Sequence, residues 1–320
     1  MKVLLFGLLI LSSQVASSQY LAFESTFDYH AQKYLSVLSQ TTTDVWEDST
    51  PEKQEFCEKR YQGLLNDGIL DIRISLGYFD WTEQLNTNIY GQSPSIDLGA
   101  FASLRKFLIY PCMGESLFCG FMQDPSNLSR FYRQTLIRGE TYLVRIEMQY
   151  ASASQYLVMN KGQGQAIQKM KTQYSEQFFV KSLQEADVAI YFGHSRDGGG
   201  PDFAPPVFEK NKNKVDYESY KKNKTGLKLM TNALKKAVQP APVIAVMACD
   251  SRDHFLKQIR SVAPNSGIIT TTKVVDVAVA YTAMIGALDS IIRGQCDSLY
   301  QAIRLTPENQ EGVTMDGMFE

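Results

Sequence analysis

The chain has 320 residues, of which 44% are hydrophobic and 21% charged, enough apolar material for one large core or two smaller ones. A formal net charge of −2 without long single-sign blocks gives no basic field, which excludes nucleic acid as a partner on electrostatic grounds. The Lys-rich stretch 210–228 reads as a solvated loop and helix face.

In chain order, Lys2 is followed by the apolar run 3–11 and then by Ser-, Gln- and Ala-rich residues, the three parts of a secretory leader. Ala16 and Ser18 suit cleavage before Gln19, so residues 1–18 are expected to be a signal peptide and the mature protein to be secreted or periplasmic. No later segment reaches the roughly 20 apolar residues that a membrane-spanning helix needs, so no membrane insertion is expected. In an oxidising compartment the five cysteines become a pairing problem with one thiol left over. Cys112 and Cys119, in one turn-rich stretch, are expected to form a disulfide; Cys57 and Cys296 could form a second, and Cys249 is the expected free thiol.

Residues 20–64 show helical spacing, with Thr50 and Pro51 marking a helix start. Residues 68–150 carry more β-formers, and 70–76 and 141–148 alternate with period two. Helices are expected at 165–183 and 217–238, a helix through 255–259, a long apolar helix at 275–292 closed by Gly294, and a short one at 297–303. Between them lie apolar, strand-like runs at 186–193 and 242–248, and a further strand at 266–272. Strands separated by helices imply a three-layer α/β sandwich with a mostly parallel sheet. The expected organisation is a mixed α+β N-terminal region at 19–139, an α/β domain at 140–305 and a polar tail at 306–320.

Two of these runs end on reactive residues. The first stops at His194 and opens into Ser195, Arg196, Asp197, Gly198, Gly199, Gly200, Pro201 and Asp202; the second stops at Cys249. Working residues of open parallel sheets lie just beyond the carboxyl ends of the strands, so His194 and Cys249 should share one sheet edge. A thiolate is a strong nucleophile for acyl transfer, and a nearby imidazole can activate the thiol and protonate the leaving amine.

The order of strand, Gly193-His194, helix, strand, Ala248-Cys249 resembles the caspase-like cysteine peptidases of clan CD, the group that holds caspases, legumain, gingipain and separase. The resemblance covers about residues 140–305. It extends downstream through the 267–272 strand, the helix around Tyr281 and Met284, and the Gly294 turn with the helix after it. It implies a caspase-like fold, His194 and Cys249 as the catalytic pair, and backbone N–H groups of Cys249 and of the residue after His194 as the oxyanion hole. Ser195 stands there in place of the family's glycine.

Gly193, Ser195, Asp197, Gly198, Gly199, Gly200, Asp202, Asp250 and Arg252 are the candidate oxyanion and substrate-binding residues. The glycine triplet has two readings, a loop that lets backbone approach a ligand closely and a tight turn whose Asp side chains bond nearby N–H groups. It lacks the spacing of a nucleotide-binding loop. Cys249, Asp253 and His254, with His194 and Asp197, are alternative metal ligands, but they lack zinc-site spacing, and neither metal nor cofactor is assigned. The expectation is an exported cysteine peptidase acting on peptides or proteins; the alternative is a non-catalytic binding protein that uses the Gly198–Gly200 loop.

Overall fold

The structure is a computed structural model that describes residues 21–41, 50–79, 95–112, 116–212 and 214–318; the expected leader at 1–18 lies outside them. Helix α1 (Glu24–Thr41) buries Phe27, Ala31, Tyr34 and Leu38, the stripe its three-to-four spacing predicts. Thr50 caps α2 (Pro51–Leu64), its hydroxyl accepting from the Lys53 N–H at 3.4 Å, with Pro51 in the first turn. Strand β1 (Ile69–Leu76) follows, then α3 (Ile96–Ile109) and three strands, β2 (Met122–Asp124), β3 (Asn127–Ile137) and β4 (Glu140–Tyr150). Helix α3 lies in a section whose composition reads as β-rich, yet Ile96, Ala100, Leu104, Phe107 and Leu108 form a buried helical stripe.

The second half alternates: α4 (Gln165–Glu185), β5 (Val188–Phe192), α5 (Tyr217–Asn223), α6 (Thr225–Lys236), β6 (Val243–Met247), α7 (Lys257–Val262), β7 (Gly267–Thr271), α8 (Val277–Ile292), α9 (Asp297–Ala302), α10 (Pro307–Gly312) and β8 (Val313–Asp316). The single helix expected at 217–238 is two, because Lys224 adopts a left-handed backbone with φ 47°. A π-helical turn at Arg252–Leu256 leads into α7.

All eight strands form one sheet in the order β2-β3-β4-β1-β5-β6-β7-β8. The run β4-β1-β5-β6-β7 is parallel; β3 pairs antiparallel with β2 and β4, and β8 pairs antiparallel with β7. Strand alternation sends Val188, Ile190 and Phe192 of β5 to one face and Ala189 and Tyr191 to the other. The first face packs against α1, α3 and α8, and the second against α4, α6 and α7, giving a three-layer sandwich.

Two expected boundaries need correction. A separate N-terminal region at 19–139 does not describe this sheet: β1 lies between β4 and β5, and the 139/140 boundary falls in the β3–β4 hairpin turn. Nor is 306–320 a polar tail. Thr306 caps α10, β8 completes the sheet edge, and Val313 and Met318 are buried in the core.

Cys112 and Cys119 pair as expected, with Cα atoms 5.0 Å apart. Cys57 of α2 pairs with Cys296 just before α9, with Cα atoms 6.1 Å apart, and Cys249 is the free thiol.

Candidate active site at the carboxyl edge of the sheet

Strands β5 and β6 are wholly buried, and their register sets the site. Phe192 of β5 stands opposite Met247 of β6, and the Gly193 N–H continues the ladder to the Met247 carbonyl at 3.2 Å. His194 and Cys249 each lie two residues beyond that Phe192–Met247 pair. Gly193 is required by packing: a Cβ there would lie 2.5 Å from the Tyr191 hydroxyl oxygen and 3.2 Å from the Gly77 Cα. The His194 ring lies against Phe79, with ring centroids 4.3 Å apart.

The turn after β6 is held by hydroxyls. Ser251 Oγ donates to the Val246 carbonyl at 2.7 Å and accepts from the Thr271 N–H at 2.9 Å, while Thr271 Oγ1 donates to the Ala248 carbonyl. Asp250 then takes a left-handed backbone with φ 51°, and its N–H donates to the Lys273 carbonyl at 3.0 Å. Cys249 is thereby presented at the edge, half-buried, its Sγ a weak 3.8 Å from the Val275 carbonyl.

Both residues line one cavity of about 350 Å³ over the carboxyl ends of β1, β5, β6 and β7. Phe79 and Ile96 form one wall, Val274, Val275, Asp276 and Val277 another, and the cavity is also lined by Tyr217 and His254. The Ile96 wall rests on a buried carboxylate: Asp97 accepts from the Ser95 and Ser152 hydroxyls and from the N–H groups of Ala151 (3.1 Å) and Ser152 (2.8 Å). Burial pushes its pKa up to about 6 despite these four donors. Asp276 caps α8, accepting from the Ala278 N–H at 2.8 Å, so the positive end of that helix dipole opens beside the cavity.

Of the residues singled out from the sequence, His194, Ser195, Asp197, Cys249 and Asp250 line this cavity. Gly193, Gly198, Gly199, Gly200, Asp202 and Arg252 are not among the lining residues. Arg252 is exposed at the start of the π-helical turn. The Asp202 carboxylate accepts from Arg196 Nε at 2.9 Å and from the Tyr220 hydroxyl at 3.0 Å, so it is committed to the loop's interior. The glycine triplet is buried: Gly198 packs on the His254 ring, Gly199 on Tyr220, and Gly200 on the backbone of Gly226 and Leu227. The Leu227 N–H donates to the Gly199 carbonyl at 3.0 Å, so the triplet acts as a tight turn sewn to α6. Asp197 reaches outward to an exposed ion pair with Lys221 at 2.8 Å.

Ser195 in the place of a glycine raises no steric conflict. The left-handed stretch begins one residue later, at Arg196 (φ 48°), Asp197 (φ 51°) and Gly198 (φ 81°). Phe79, Ile96, Val274, Val275 and Val277 carry no polar side-chain group, and neither Tyr217 nor Asp276 stands in a motif that marks a site; their place at the cavity is set by the tertiary fold. His254 reads from the sequence as an ordinary helix residue; only its position four residues beyond Asp250 hints that it turns back to the cavity. Among the described residues no group of three His, Cys, Asp or Glu side chains is placed to hold a metal ion.

Fold and site define a class, an α/β sandwich with a His- and Cys-lined cavity at the carboxyl edge of its parallel strands. No family model matches the chain, and neither a curated protein nor a solved structure matches it.

Proposed function

We propose that this chain is an exported cysteine peptidase that hydrolyses peptide bonds with Cys249 as nucleophile and His194 as general acid and base. The observation that carries the reading is the shared cavity: an imidazole and the only free thiol among the described cysteines stand at equivalent positions beyond two adjacent parallel strands and line the same space.

In this reading His194 takes the Cys249 proton and the thiolate attacks the scissile carbonyl carbon. The C–N bond breaks as His194 protonates the leaving amine, and a water activated by the neutral imidazole then hydrolyses the thioester. The N–H groups of Cys249 and Ser195 are the candidates to hold the oxyanion, and the amino end of α8 favours negative charge in the same region. Export accords with two cysteine pairs at disulfide distance and with the apolar leader. The likeness to clan CD peptidases adds the same strand-end order of His and Cys.

Peptide hydrolysis by Cys249→Ala and His194→Ala tests the proposal. Both variants should lose turnover at least about a thousandfold, as members of a unit that acts together do, and Cys249→Ala should cost at most about 1–3 kcal/mol of stability. Iodoacetamide should label Cys249 ahead of any other position at mildly acidic pH. A folded protein in which Cys249→Ala leaves hydrolysis unchanged would sink the proposal.

A further inference from the structure

The loop from His194 to Asp202 is tied shut from beneath by one hydroxyl. Tyr191 points from β5 into the face covered by α4, fully buried, its ring 5.6 Å from that of Phe179 and 5.5 Å from that of Phe203. Its hydroxyl donates to the His194 carbonyl at 3.0 Å and accepts from the Asp202 N–H at 2.9 Å; the Asp202 carbonyl, at 3.3 Å, is the alternative acceptor. One oxygen therefore joins the first and last residues of the loop.

The far end of the tie is itself anchored. The Asp202 carbonyl accepts from the Tyr78 N–H at 2.9 Å, just past β1. Its carboxylate holds Arg196 and Tyr220 and also accepts from the Ala204 N–H at 3.1 Å. The Arg196 side chain is 1% exposed, so the ion pair sits inside the loop. The backbone above packs closely on Tyr191: a Cβ added at Gly77 or at Gly193 would come within 2.8 Å of the Tyr191 ring.

We infer that Tyr191 is a positioning residue for His194: its hydroxyl fixes the height and direction of the His194 backbone, and through it the reach of the imidazole toward Cys249. The inference rests on the peptidase reading for its kinetic consequence but not for its geometry. Removing the hydroxyl as Tyr191→Phe keeps the ring in its aromatic cluster and leaves the His194 carbonyl and the Asp202 N–H to find other partners. Asp202→Asn is a poorer probe, since it leaves a buried guanidinium without its counter-charge.

The experiment compares wild type, Tyr191→Phe and Tyr61→Phe. Tyr61→Phe is the stability control, because it removes an equally buried hydroxyl from the Gln295 carbonyl, outside the loop. Steady-state kinetics use the quenched-fluorescence peptide that the wild type cuts fastest from a library. In parallel, the His194 ring resonance is followed by NMR as a function of pH, assigned among the three histidines with His194→Ala. Tyr191→Phe should lower kcat about 10- to 100-fold with KM close to wild type, the loss expected when a reacting group is displaced by about 1 Å. It should also shift the His194 titration midpoint, while Tyr61→Phe changes neither. If kcat and titration of Tyr191→Phe both match the wild type, the inference is overturned. If the wild type cuts no peptide, the peptidase reading fails on its own, and the titration alone decides: a shift in Tyr191→Phe supports the positioning role and an unchanged midpoint refutes it.

Discussion

Backbone strain gathers around the cavity. Arg196, Asp197 and Asp250 hold left-handed conformations that non-glycine residues adopt at a cost of order 1–3 kcal/mol each, and all three line the cavity. Gly200 shows what such positions demand, with φ 108° and no room for a Cβ against the backbone of Gly226 and Leu227. Gly200→Ala should therefore destabilise by about 2–4 kcal/mol, read as a lower urea midpoint. At the opposite edge, burial first and the neighbouring carboxylates of Asp71 and Asp67 next push the Asp187 pKa up to about 7, while its side chain accepts from the Asp71 N–H at 2.7 Å. A carboxyl whose pKa is raised on folding binds its proton more tightly in the native state. Its ionisation thus removes stability as pH rises from about 4 through 7. Asp187→Asn keeps the acceptor without the charge, so its stability relative to wild type should improve as pH rises from 4 to 8. Urea titrations at both ends of that range check the sign, and a difference that is flat with pH would contradict it.

At the scale of elements, the two disulfides do unequal work. Cys57–Cys296 ties α2 to the start of α9 across a sequence separation of 239 residues, whereas Cys112–Cys119 closes only 7. Loop-closure entropy assigns about 5–6 kcal/mol to the long loop and about 2 kcal/mol to the short one. Replacing Cys57 and Cys296 by Ser should accordingly lower Tm well beyond the same change at Cys112 and Cys119, as calorimetry would show. The helix break at Lys224 matters to the site as well. Helix α5 carries Tyr217 and Tyr220, and α6 supplies the Gly226–Leu227 backbone on which the glycine loop rests. An unbroken helix could not offer the loop both surfaces in this arrangement. Gly198–Gly200 is thus packed against His254, Tyr220 and the Gly226–Leu227 backbone.

Across the whole molecule, the chain enters the middle of the sheet with β1, passes to the far edge at β2, builds back inward through β3 to β4 beside β1, and then crosses β1 to β5. This reversal puts the cavity where strand ends diverge, the usual place for a ligand in an open α/β sheet. It also makes the two halves of the chain interdependent. A fragment starting at residue 140 lacks β1 and should fail to unfold cooperatively, while deletion of 306–318 removes β8 and exposes the β7 edge to other chains, so that it should aggregate. Size-exclusion chromatography and thermal melts of the two truncations test both expectations.

Much of the architecture was legible in the residues: the apolar runs of β5 and β6 demand burial on both faces, and Thr50-Pro51 marks the start of α2 whatever surrounds it. So were His194 and Cys249 at strand ends and Cys249 as the odd thiol, because each depends on local pattern or on counting. What the tertiary structure alone decided depends on contacts between residues far apart in sequence. No local pattern places β1 beside β5 or brings Phe79 against the His194 ring. The same holds for Asp202, whose charge suggests substrate recognition until the buried Arg196 beside it claims that charge for the loop. A carboxylate's role is set by which cation reaches it first, and that is a property of packing.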